Sequence, residues 1–161
     1  GEVIKNCFVT GGSIVSLLLG DTVNDYDIYF TKEEVALKVA LHYAKGKVAE
    51  LTPALGTVSI TVGSSGIWLN NKEELQPYEL KCITGNAISL NDKVQLITKF
   101  VMTPDEVHKN FDFVHCTCYY DPFSDNLVVP SDAAVSIMTK ELKYRGSLYP
   151  LASIIRTRKF I

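Results

Sequence analysis

Asp25 and Asp27 are one residue apart in the run Asp25-Tyr26-Asp27-Ile28-Tyr29-Phe30. An extended chain alternates its side chains between two faces, so both carboxylates fall on one side. Two like charges this close repel unless a cation bridges them. Hard oxygen donors of this kind select Mg²⁺ or Mn²⁺ over softer metals. Two such ions about 3.5–4 Å apart activate an attacking hydroxyl and stabilise a leaving oxygen. Ahead of the pair stands Gly11-Gly12-Ser13. Two glycines let the backbone approach a ligand closely, and a following helix offers free N–H groups to a phosphate. Ser13 adds a hydroxyl. Together these residues have the makings of a site for a nucleoside triphosphate and its metals.

The neighbouring elements must position those groups. Cys7-Phe8-Val9-Thr10 is a short apolar run that reads as a buried strand. Ser13, as N-cap, opens a short helix through Ile14, Val15 and Leu17–Leu19, which Gly20 stops. Asp25 to Phe30 is the second strand. Thr31 with Glu34 forms a capping box for a helix to about Ala44, ended by Gly46. Val58–Val62 and Ile67–Leu69 flank Gly63-Ser64-Ser65-Gly66 as a hairpin. Tyr78–Ile83 and Val94–Phe100 read as strands. Thr103-Pro104-Asp105-Glu106 starts a brief helix ending near Asn110. Phe111–Tyr120 reads as one strand, Asp121-Pro122 as a turn and Leu127–Val129 as a further strand. A helix runs from Ser131 to about Lys143, and another from Tyr149 to the end. The order predicts an α/β (α+β) fold with a mixed sheet flanked by helices and a helical C-terminal segment. Residues 1–130 form the catalytic domain and 131–161 that segment.

Gly11-Gly12-Ser13 followed by Asp25-Tyr26-Asp27-Ile28 resembles the signature of the DNA polymerase β nucleotidyltransferase superfamily. The resemblance implies that the Gly-Ser turn holds the triphosphate and the two aspartates bind Mg²⁺. It also implies a third carboxylate in a hydrophobic-acid-hydrophobic pattern. Phe111-Asp112-Phe113 supplies Asp112, with Glu79 of Tyr78-Glu79-Leu80 in reserve. Within the superfamily, the run from Asp112 to Pro122 is similar to the head domain of tRNA CCA-adding enzymes and bacterial poly(A) polymerases. It departs from that pattern at Phe111, where the family has Arg, and at His115-Cys116. Tyr149-Pro150-Leu151 with Ile155-Arg156-Thr157-Arg158 resembles the arginine-bearing helix after that head domain. Arg156 and Arg158 are then contacts to the triphosphate or base. The long helical RNA-binding body of the family has no counterpart, which implies a truncated C-terminal segment.

Composition sets the outer limits. The 161 residues suit one domain; 47% are apolar and 21% charged, enough for a real core. The formal net charge of -2 excludes a whole-chain basic signature for nucleic acid. Arg145, Arg156 and Arg158 all fall in the last 17 residues, whereas Asp21, Asp25 and Asp27 lie early. Cys7, Cys82, Cys116 and Cys118 lack metal-ligand spacing and sit in apolar runs. A reducing, cytoplasmic setting is expected, with no signal peptide and no membrane span. The start at Gly1 without Met suggests processing or trimming. His42 and His108 read as surface helix residues. His115 reads as a structural histidine pointing away from Asp112, and Tyr119 and Tyr120 face opposite ways.

Three functions are open at this stage. The chain transfers a nucleoside monophosphate to an RNA (tRNA) 3′ end, releasing pyrophosphate. Alternatively it nucleotidylates a protein or small molecule, or it binds nucleotide without catalysis. Oligomeric state is open as well.

Overall fold

The computed structural model describes residues 2–140 except 24, 45, 49, 64–66, 69–78, 92 and 112, with only the backbone of 67–68. Ten strands and five helices follow one another among these residues. Helix α1 (Glu2–Lys5) leads into β1 (Cys7–Thr10), α2 (Gly12–Leu19), β2 (Tyr26–Phe30) and α3 (Glu33–Ala44). Then come β3 (Glu50–Ala54), β4 (Thr57–Thr61), β5 (Ile67–Trp68), β6 (Leu80–Ile83), β7 (Ala87–Leu90) and β8 (Val94–Val101). Helix α4 (Pro104–His108), a 3₁₀ turn (Val114–Cys116), β9 (Tyr119–Asp121), β10 (Asn126–Val128) and α5 (Ser131–Thr139) complete the order. Eight strands form one sheet in the order β10-β9-β1-β2-β8-β7-β6-β5, and β3-β4 form a separate ribbon. β2 and β8 pair in parallel while their neighbours pair antiparallel, so the sheet is mixed as the sequence predicts.

The pleat divides the apolar residues between the two faces. One face carries the largest cluster, where Phe30, Leu96 and Ile88 of the sheet meet Val35, Ala36 and Ala40 of α3 and Val58 and Ile60 of β4. A second cluster joins Ile14 and Val15 of α2 to Ala133 and Ile137 of α5 and to Cys118. The third holds Phe8, Tyr29 and Val107, with Phe111 and Tyr119 packed against it. Phe8 and Tyr29 face each other across β1–β2 and stack at 5.5 Å. The third cluster therefore lies on the side of β2 opposite Phe30.

Several local expectations change. Helix α2 takes Gly11 as its N-cap and begins at Gly12, so Ser13 sits inside the first turn. Helix α3 begins at Glu33, where the Lys32 carbonyl accepts the first helical bond from Ala36, one residue beyond the Thr31 cap read from sequence. Thr31 instead donates its N–H to Asn6. The helix-opening signal at Thr103 holds: Thr103 and Glu106 make a reciprocal capping box with Pro104 at the start. The strand expected over residues 58–62 pairs with residues before it rather than with Ile67–Trp68. A two-residue turn at Leu55-Gly56 pairs β4 with β3, and β5 pairs with β6. Pro53 within β3 hides that strand from pattern reading, because Pro is confined to strand edges and this ribbon is all edge. The expected strand from Phe111 to Tyr120 breaks at the 3₁₀ turn, where the Thr117 hydroxyl donates to the Val114 carbonyl at 2.7 Å. Helix α5 ends at Thr139 with Lys140 in a left-handed cap, and the expected continuation to Lys143 lies outside the described residues.

The ribbon is tied to α3 by one charge-assisted bond. The Gly56 N–H donates to Glu33 Oε1 at 2.8 Å. That bond, and next the backbone of Glu33 itself, hold the Glu33 carboxyl below its ordinary value. A depressed folded value adds stability above the unfolded carboxylate range, and that stability disappears as pH falls through the folded value. Glu33→Gln should therefore lower the urea midpoint at pH 7 and shrink the difference between pH 7 and pH 3. An unchanged pH difference would remove this bond from the account.

Candidate active site

Strand register builds the site. Thr10 on β1 pairs with Asp27 on β2, and Asp27 pairs on its other side with Gln95 of β8. Asp27 and Tyr29 share one face, the face of the aromatic cluster. Asp25 lies one residue before β2 and is exposed. The Tyr29 phenol is pushed up, by burial first, then by the negative charge of Asp27, and last by Cys116 once its thiol has ionised. The aspartate face thus carries negative potential that a cation would neutralise.

The glycine turn abuts the same carboxylate. Gly11 has φ 93° and ψ -154°, a combination open essentially to glycine alone. A Cβ on Gly11 would stand 3.9 Å from Asp27 Oδ2. Helix α2 begins at the next residue, and the amides of a first helical turn have no partner within the helix. Beyond Gly12 there is open space: a Cβ there would meet nothing within 4 Å. Ser13 is buried, and its hydroxyl oxygen has no hydrogen-bond partner. A buried polar atom without a partner is costly and asks for an explanation. An anion at the head of α2, with a divalent cation on Asp27, suits this donor set. Gly11, Gly12, Ser13 and Asp27 are therefore brought together at one end of β1 and β2, and Asp25 precedes β2 at that end.

The other candidates are placed differently. Glu79 precedes β6, and β7 and β8 separate β6 from β2. Three strand spacings amount to roughly 14 Å, too far for a shared metal. Asp112, Arg156 and Arg158 lie outside the described residues. Phe111, next to Asp112, packs on Tyr29 with ring centres 6.4 Å apart. Among the described residues, no three His, Cys, Asp or Glu side chains gather as a metal cluster. The 3₁₀ turn also ends the alternation that set His115 opposite Asp112; His115 is buried. Cys7, Cys82, Cys116 and Cys118 form no disulfide with one another. Burial first, then the charge of Asp132, pushes the Cys118 thiol up to about 11. No helix among the described residues is long and apolar enough to cross a membrane.

His108, expected at the surface, is buried against Phe111 and Tyr119. Its Nε2 lies 2.8 Å from the Thr10 hydroxyl, which donates its proton to the Cys118 carbonyl. With that proton committed, Nε2 must carry the hydrogen and donate to Thr10. This chain of bonds fixes the residue that precedes Gly11 and faces Asp27. Thr10→Val keeps the shape but removes both buried hydrogen bonds, to His108 and to the Cys118 carbonyl. We expect a loss of about 2 kcal/mol or more in denaturant unfolding, against about 1 kcal/mol or less for Thr10→Ser. Equal stabilities for the two variants would refute the assigned bonds.

A family profile described as Gad2, Gabija anti-defense 2 family protein, matches residues 2–140. The chain belongs to the Gad2 family. Among solved structures, this Gad2 chain is similar to the Thermotoga maritima CCA-adding enzyme in complex with tRNA. Identity there is 16% and the TM-score 0.56, over 96% of this chain and 33% of the other. A CCA-adding enzyme with CTP aligns at 17% identity and TM-score 0.52, over 96% and 32%. A tRNA-processing enzyme with CTP aligns at 16% and 0.51, over 96% and 37%. The Gad2 chain thus spans about a third of the length of these enzymes. What it shares with them is the nucleotidyltransferase fold. No curated protein matches the Gad2 chain.

Proposed function

We propose that this Gad2 family member is a divalent-metal-dependent nucleotidyltransferase. It moves a nucleoside monophosphate from a nucleoside triphosphate to an acceptor hydroxyl and releases pyrophosphate. The observation that carries the reading is the contact of Asp27 with the glycine-only turn that opens α2. Asp25 and Asp27, with Asp112 as third ligand, would hold Mg²⁺ or Mn²⁺. Such a metal, when bound, supplies positive charge at the reacting phosphate and lowers the acceptor hydroxyl's pKa. The amides of Gly12 and Ser13 and the Ser13 hydroxyl bind and orient the β- and γ-phosphates. Arg156 and Arg158 serve the triphosphate or the base. Positioning of this kind, with charge stabilisation, accounts for most phosphoryl-transfer catalysis.

Both comparisons bear on the acceptor. The solved enzymes of like fold are bound to CTP in one case and to tRNA in another, which supports a nucleotide donor and an RNA acceptor. The family description, anti-defense against Gabija, supports a different acceptor: a component of the Gabija defence, modified as a protein. We favour the second acceptor, because the family profile matches this chain itself.

The experiment uses purified chain, Mg²⁺ or Mn²⁺, and each nucleoside triphosphate labelled at the α- or the γ-phosphate. tRNA and Gabija proteins are offered in parallel. Label should enter an acceptor from the α- but not the γ-position. Entry into tRNA alone would return the acceptor to RNA. No transfer to either acceptor with any triphosphate would defeat the reading.

A further inference from the structure

Asp25 lies outside the sheet ladder, and one distant residue grips the chain on both sides of it. Lys93 stands in the turn between β7 and β8. Its carbonyl accepts the Tyr26 N–H at 2.6 Å. Its ammonium donates to the Val23 carbonyl at 2.9 Å. The segment 23–26 is therefore pinned at each end by the same side chain and backbone. Val23 is buried, so the near end is also anchored by packing. Tyr26 pairs with Val94 at the head of the parallel β2–β8 ladder, so the far end is continuous with the sheet.

Lys93 makes these two bonds from a left-handed backbone, φ 63°. That region is unfavourable for a residue with a Cβ, and it persists where surrounding structure imposes it. A glycine or asparagine would fill such a turn at less cost. Neither carries a side chain long enough to reach Val23 from there. The long cationic side chain, kept in a glycine-like conformation, is explained by its reach to the loop that bears Asp25.

We infer that Lys93 is the positioning residue of the metal site: it fixes the backbone on both sides of Asp25 so that this carboxylate stands beside Asp27. This deepens the nucleotidyltransferase reading and rests on it. Lys93 itself touches neither metal nor nucleotide in this assignment. It acts through Asp25, as outer groups commonly orient the ligands of a metal.

The test measures Mn²⁺ binding to the full chain by the paramagnetic relaxation of water protons, with thermal unfolding recorded on the same samples. Lys93→Met keeps the length of the side chain and removes the donor. It should weaken Mn²⁺ binding by roughly 10- to 100-fold, the usual effect of losing an orienting partner. Lys93→Arg, which keeps a donor, should recover most of that loss. Lys93→Gly relieves the backbone but loses the side chain. It should unfold no earlier than Lys93→Met and still bind Mn²⁺ weakly, which separates positioning from turn stability. Mn²⁺ affinity within twofold of wild type in folded Lys93→Met overturns the inference. Wild-type chain that binds no Mn²⁺ overturns the nucleotidyltransferase reading itself, and the inference with it; only the first outcome singles out Lys93.

Discussion

Asp25→Ala combined with Asp27→Ala should lower label transfer from the α-phosphate by roughly 10²–10³-fold or more, the scale on which losing a preorganised charge stabiliser acts. The thermal midpoint of the double variant, recorded beside transfer, shows that the loss of transfer is not a loss of the fold. Asp27 has a second, spectroscopic signature. Its charge is one of the causes that push the Tyr29 phenol up, after burial. Removing it should bring Tyr29 part of the way back, visible as a tyrosine ionising at lower pH in an absorbance titration. Activity, thermal midpoint and titration together isolate the pair. A double variant that is folded, with its Tyr29 titration shifted but with transfer undiminished, would show that the site is real and the chemistry misassigned. Asp27→Asn alone keeps shape and removes one charge, and should account for most of the activity loss if both aspartates hold the same metals.

The site-bearing half of the fold is the half that was legible in sequence. Cys7–Thr10, the Gly11-Gly12 break, the Gly20 stop and Tyr26–Phe30 are marked by local chemistry: apolar runs, glycine and alternation. These features fix the order strand-turn-helix-strand, and that order brings Gly11 to Asp27. Elements defined by non-local pairing were not legible. β7, only Ala87–Leu90, forms because it lies between β6 and β8, and nothing in its four residues announces it. The partner of β4 was misjudged because Gly63-Ser64-Ser65-Gly66 is the louder turn signal, whereas the closing turn is Leu55-Gly56. His108 illustrates the same limit on the scale of one side chain. A single-turn helix presents too few residues for a buried face to be read from period, and what buries His108 comes from β1 and β9. Lys93 is silent for the same reason: its two bonds reach residues about 70 positions away.

The two glycines of the turn should separate backbone strain from ligand access. Gly11→Ala places a side chain on a backbone at φ 93° and ψ -154°. That region costs a non-glycine residue about 1–3 kcal/mol. Contact is not the cause, because the new Cβ would sit 3.9 Å from Asp27 Oδ2, an ordinary van der Waals distance. The variant should therefore lose stability by that amount in denaturant unfolding. It should also lose activity, since relaxation of the turn shifts the start of α2 relative to Asp27. Gly12→Ala behaves in the opposite way. Gly12 is exposed and helical, with open space where its Cβ would lie. Alanine in place of glycine within a helix is favourable by roughly 0.5–1 kcal/mol, less at a first position. The variant should be as stable as wild type or slightly more so. Its methyl group nonetheless stands at the mouth of α2, where the triphosphate is proposed to lie. The KM for the nucleoside triphosphate should rise roughly tenfold, equivalent to about 1.4 kcal/mol of lost binding. A stable Gly12→Ala protein with KM within twofold of wild type would mean that phosphates do not approach this turn. The aspartate pair would then need a different anion to complete its site.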